Sequence, residues 1–141
     1  MVKLYKLIIH TVMLMSFFGL FSLAYSQDCP DGFTFMEGSY LHMDNICVPD
    51  SFASANNSSQ QAAYFFINVT INGMPVESSG WLGVFNGNVC VGTKQWDTSV
   101  CGGGVCEVVA NGYDGASTAG NMMPGDIPTF QIFDVSAGIY L

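Results

Sequence analysis

From Ala63 onward, apolar residues recur at every second position. Phe65, Ile67, Val69 and Ile71 fall on one face, and Tyr64, Phe66, Asn68 and Thr70 fall on the other, which is the period of a β-strand. The aliphatic face is expected to be core, with Asn72-Gly73 ending the strand through turn chemistry. Two further apolar runs meet at Asn86-Gly87, a pair suited to a type I′ turn because both central residues must take positive φ. That turn pairs Phe85 with Asn88, Val84 with Val89, Gly83 with Cys90 and Leu82 with Val91. Leu82, Val84, Val89 and Val91 then face a core, and the opposite face, with Trp81, Phe85 and Cys90, is too apolar to be freely solvated.

Later strands are expected at Val105–Ala110 and Thr129–Phe133, and another begins at Ile139, either as an edge strand or as the start of a longer chain. Residues 111–126 carry Gly112, Gly115, Gly120, Gly125 and Pro124, a long loop of the kind proteins keep mainly where something binds or where the region is disordered. Residues 28–61 read as irregular, punctuated by Pro30, Gly32, Gly38 and Pro49, with one short strand at Phe33–Met36 and a polar run from Ser54 to Gln61 that resembles a linker. About six short strands with no helical period predict an all-β fold. The expected architecture is an antiparallel β-sandwich, jelly-roll or immunoglobulin-like, stabilised by disulfides.

The start of the chain has a different pattern. Lys3 and Lys6 precede an apolar stretch from Val12 to Leu23 that ends in Ala24-Tyr25-Ser26, the order of a secretory signal peptide cleaved after Ser26. A membrane span needs roughly 20 predominantly apolar residues, and the run from Leu7 to Leu23 falls a little short of that and contains His10 and Ser16. The expected organisation is a signal peptide over 1–26, a disulfide-stapled N-terminal segment over 27–61 and a β-sandwich over 62–141.

Cleavage alters the charge. Of three basic residues only Lys94 remains against 11 acidic ones, so the net charge goes from −8 to −10. Proteins bind phosphate backbones with clustered Lys and Arg, so nucleic acid and anionic membrane surfaces are excluded as partners. Cations, neutral sugars and proteins stay open, and acidity also serves plain solubility.

Five cysteines remain, an odd number in an oxidising compartment. Cys29 and Cys47 bracket a turn-rich segment that a bridge would order, and Cys101 and Cys106 enclose a flexible Gly102-Gly103-Gly104-Val105 ring. Cys90 is then a buried free thiol, with its pairing to Cys101 or Cys106 as the rival arrangement.

Catalytic devices lack parts. His42 is the only histidine after residue 26, so a Ser/His/Asp or Cys/His arrangement would have to be built around it. Calcium is the metal that suits an acidic extracellular chain, with Asn111, Asp114, Asp126 and Asp134 as candidate ligands around the long loop, although no spaced D-x-D-x-D loop is present. The simpler role for these aspartates is turn formation. Sugar binding needs exposed aromatics and a few hydrogen-bonding groups, for which Tyr64, Phe66, Trp81, Trp96, Asp97 and Tyr113 are the candidates. Asn56, Asn57 and Asn68 begin N-glycosylation patterns, relevant in a eukaryotic host.

Three runs, SSQQAAYFFINVTING, WLGVFNGNVCVGTKQWDTSVCGGGVCEV and PGDIPTFQIFD, together resemble a module recurrent in secreted and surface proteins of marine microbes. The resemblance covers about residues 52–141 and implies a non-catalytic extracellular β-sandwich, often one part of a longer protein. The chain departs from that pattern at Ser79-Gly80 and Asn88, where the module tends to be acidic, which weakens a cation site drawing on those carboxylates. It departs again at Gln131, where the module usually has lysine, and at Gly120-Asn121-Met122, where it usually reads Gly-Tyr-Met.

These readings converge on a secreted or cell-surface binding or adhesion module for a glycan or an extracellular protein. Two rivals stand beside it. One is a filament or matrix subunit that self-associates by strand addition through the last strand and the outer hairpin face. The other is an accessory module of a secreted hydrolase.

Overall fold

The computed structural model describes residues 28–38 and 45–141, so the segment read as a signal peptide and His42 lie outside the described residues. The fold is all-β. In chain order the strands are β1 (Phe33–Met36), β2 (Ile46–Pro49), β3 (Gln61–Phe66), β4 (Thr70–Ile71), β5 (Met74–Pro75), β6 (Trp81–Asn86), β7 (Val89–Gln95), β8 (Cys106–Asn111), β9 (Thr129–Asp134) and β10 (Ile139–Tyr140). Every strand pair is antiparallel. The central sheet has the order β10-β9-β6-β7, while β1-β2, β3-β8 and β4-β5 form two-stranded sheets.

The central hairpin turns one residue later than its sequence suggests. Asn86 pairs with Val89, leaving Gly87-Asn88 as the loop, and Gly87 alone takes positive φ, at 60°, the pattern of a type II′ turn. The I′ pattern occurs instead at Asn72-Gly73, with φ of 51° and 81°, between β4 and β5.

The register then shifts between Val84 and Phe85: Phe85 opposes Cys90 but Val84 opposes Gly92, so Val91 is the extra residue of a β-bulge. Val91 and Trp96 are five positions apart, and strict alternation would put them on opposite faces. The bulge reverses the phase and lets both enter one core with Leu82 and Val84. It also places Lys94 beside Glu107 of β8 at 3.5 Å. The carbonyl at the bulge is satisfied, because Asn111 Nδ2 donates to Val91 O at 2.8 Å.

On this face the sheet is covered by the β3-β8 ribbon, whose Cys106, Val108 and Ala110 are buried against Leu82, Val84 and Val91. The expected facing of β3 is reversed. Tyr64 and Phe66 turn inward, while Phe65 and Ile67 are 66% and 83% exposed. The cause is register: Tyr64 opposes Val108 and Phe66 opposes Cys106, both inward residues of β8. The two rings then fill the gap between layers by edge-on contacts, Tyr64 to Phe130 at 5.3 Å and Phe66 to Phe130 at 5.2 Å and to Trp96 at 6.2 Å.

The opposite face of the sheet is covered by the N-terminal segment, which is more ordered than its sequence suggests. β1 and β2 form a hairpin, followed by a 3₁₀ turn at Asp50–Phe52, and together they bring Val48 and Phe52 onto Trp81, Cys90 and Phe133. Phe52 lies over Gly83, where any Cβ would collide with its ring, and meets Phe85 edge-on at 5.7 Å and Tyr140 at 5.4 Å. Trp81, Phe85 and Cys90 thus have their cover in the N-terminal layer.

Cys29–Cys47 and Cys101–Cys106 are the disulfides, and Cys90 is the buried thiol. Burial pushes the Cys90 thiol up to about 11, and its Sγ donates to Gly92 O at 3.4 Å, so at neutral pH it stays protonated and unreactive. No helix among the described residues is long and apolar enough to cross a membrane.

Candidate functional site

A groove of about 730 Å³ lies between the start of β3 and the 111–126 loop. Tyr64, Tyr113, Asp114 and Asp126 line it together with Gln60 and Gln61. Sequence reasoning put the tyrosines with a ligand and the aspartates with a metal, and the fold brings all four to one place.

The loop that shapes the groove is held by buried polar groups. Asn111 donates to Val91 O and accepts from Ser58 N at 3.1 Å and Gln61 Nε2 at 3.0 Å. Thr118 Oγ1 accepts from Asp114 N at 2.9 Å and Gly115 N at 3.1 Å. Asn121 Nδ2 donates to Asn56 O and Gly112 O, each at 3.4 Å. From the central hairpin, Asn86 Nδ2 donates to Gly120 O at 3.1 Å. Among the described residues no buried side-chain nitrogen or oxygen lacks a partner, so the loop has a fixed shape despite its glycines.

Asp114 sits at the rim. Its Oδ2 accepts from Ser59 N at 2.6 Å and its Oδ1 from Thr118 Oγ1 at 2.9 Å. The Ser59 backbone N–H, then the Ser59 and Thr118 hydroxyls, lower its pKa from 3.8 to about 2. A carboxyl in that state has no proton to give at neutral pH but accepts hydrogen bonds well.

The sign of its pH dependence follows from this depressed value. The bond stabilises the loop above the unfolded value of 3.8 and is lost as pH falls through about 2. The Ser59 amide proton shift should therefore titrate with a midpoint of about 2 in NMR, and a midpoint at 3.8 would contradict the bond.

The other candidates lie elsewhere. Trp81 and Trp96 are 2% and 3% exposed and pack in the two cores, and Phe66 is packed between Trp96 and Phe130, so none of the three presents a face to a ligand. Asp97 closes a 3₁₀ turn by accepting from Ser99 N at 2.9 Å and Ser99 Oγ at 2.6 Å, which lowers its pKa.

The four candidate calcium ligands do not converge. Asn111 is buried in structural hydrogen bonds. Asp134 closes the β9–β10 turn through Ser136 N and Ala137 N, at 3.0 and 3.1 Å, and Asp126 accepts from Met123 N at 2.8 Å. No group of three or more His, Cys, Asp or Glu suited to a metal occurs among the described residues. Asn68 is exposed, whereas Asn56 is partly buried.

Ser59, Gln60 and Gln61 were not legible as site residues, because the polar run reads as a linker. The available signal was its position directly before the best strand, where Ser58 and Gln61 could reach a structural asparagine. No protein-family model matches the chain, and it matches neither a curated protein nor a solved structure.

Proposed function

We propose that this chain is a secreted, non-catalytic binding module that takes a neutral glycan in the groove between β3 and the 111–126 loop. The observation that carries the reading is the composition of that groove: the half-exposed Tyr113 ring and the edge of Tyr64 stand beside Gln60, Asp114 and Asp126 on a hydrogen-bonded frame. Sugars present apolar C–H faces that pack on aromatic rings and hydroxyls that donate to carboxylates and amides, so a groove with both suits them. The carboxylates, together with a net charge of −8, disfavour anionic sugars. The two disulfides fit an oxidising compartment.

Screening the protein on an array of neutral and acidic glycans tests this. Binding to neutral structures is expected, and Tyr113→Ala should weaken it roughly tenfold by removing one ring contact. Tyr113 is exposed, so folding should be unaffected. Binding that is unchanged in Tyr113→Ala would contradict this placement of the ligand.

A further inference from the structure

The β3-β8 ribbon has two outer edges with different surroundings. Along β8, the Val109 carbonyl closes on Gly92 and the Asn111 side chain reaches Val91, so β7 covers that edge. Along β3, the bond from Gly112 N to Gln60 O sets the phase: alternate residues Ala62, Tyr64 and Phe66 turn their peptide groups to β8, and Gln61, Ala63 and Phe65 turn theirs away. Among the described residues, no strand or loop backbone pairs with that outward row.

Beside the free edge, the β9–β10 side of the central sheet is only partly covered, by the Tyr64 and Phe66 rings on Phe130. The ribbon overlies β6 and β7, while Phe130, Ile132, Ile139 and Leu141 form the apolar floor of an open groove of about 690 Å³ over β9 and β10, walled on one side by residues 68–72 that follow β3. One more strand added to β3 would lie over it.

Natural edge strands are usually blunted by charges, proline or bulges, and β3 has none of these. From Ser51 through Val76 the chain contains no charged residue and no histidine, although it carries 11 acids in all. The only charged residue lining the apolar groove is Asp134, whose Oδ1 is engaged by Ser136 and Ala137.

We propose that β3 pairs with β3 of a second copy, antiparallel about a two-fold axis, to give a continuous β8-β3-β3-β8 sheet. Each copy then places a strand over the apolar groove of the other, the self-complementary contact that two-fold symmetry requires. Charge selects a second copy as the occupant. Two chains of net −8 repel over most of their surfaces, and here an uncharged edge meets an uncharged edge. The groove's one charged side chain, Asp134, is held in the β9–β10 turn by Ser136 and Ala137, which leaves little with which to select a charged peptide.

Sedimentation equilibrium of the protein over a concentration series, with no sugar present, tests the pairing independently of the glycan reading. The mass should approach twice that of one chain at high concentration and fall toward one chain on dilution. Ala63→Pro removes an outward amide that the monomer does not use, and Ile139→Asp puts an acid into each groove, so each variant should sediment as a single chain. Near-ultraviolet circular dichroism reports whether each variant is folded, and if the proline variant unfolds, Ile139→Asp decides. A single-chain mass for the unsubstituted protein at every concentration overturns the proposal. So does a dimer that persists in folded Ile139→Asp, or a series of species larger than two copies.

Discussion

Replacing Phe52 by alanine is expected to lower the unfolding free energy by about 3–5 kcal/mol, read from denaturant titration. Phe52 is fully buried and lies over Gly83 between Phe85 and Tyr140, so truncation opens a cavity bounded by two layers that cannot both relax into it. Domains of this size are typically stable by about 5–15 kcal/mol, so the loss is a large share of the total. Phe65→Ala is the matched control. Its ring is exposed on β3, and its removal should change stability by no more than about 0.5 kcal/mol. A cost below about 1 kcal/mol for Phe52→Ala would mean that the N-terminal layer does not contribute to the core.

The second large effect is expected from the smallest change. Gly92→Ala should destabilise by about 3 kcal/mol or prevent folding, because the added Cβ would collide with the carbonyl oxygen of Val109. Backbone cannot move aside as a flexible side chain can. To make room, β8 would have to withdraw from β7, stretching the Asn111 to Val91 bond that satisfies the bulge. Thermal unfolding monitored by circular dichroism reads the effect. Gly102→Ala, where nothing lies within 4 Å of the new Cβ, should leave the midpoint nearly unchanged. Equal midpoints for the two variants would contradict the close approach of β8 to β7.

Much of the fold was legible because turn chemistry and period-two patterning are local. The expected strand at Phe33–Met36 is β1, and the later expected strands overlap β8 and β9. What was hidden depends on partners distant in sequence. Consecutive aromatics at Tyr64, Phe65 and Phe66 make both faces of β3 apolar, and only the pairing with β8 decides which face is inward. The bulge at Val91 leaves no mark on an alternating pattern, although a glycine inside a strand, with Val91 and Trp96 out of phase, is consistent with one.

The site shows the same division. Tyr113 is legible as an aromatic suited to a sugar and Asp114 and Asp126 as acids of a long, glycine-rich loop, and the groove contains all three. The loop is held in shape by Asn86, Asn111, Thr118 and Asn121, whose roles arise from contacts across 34, 20, 4 and 65 positions of chain. Trp81 and Trp96 were singled out by residue type, and burial in two separate cores removes them from any ligand surface.

The most direct measurement is an NMR titration of the isotope-labelled protein with a neutral glycan selected on the array, or with a panel of neutral oligosaccharides. The account predicts shift changes concentrated in two stretches, 59–64 and 112–126, with Tyr113 and Asp114 among the largest and the outer face around Phe65 unaffected. No shift with any sugar, or shifts centred away from the groove, would contradict it.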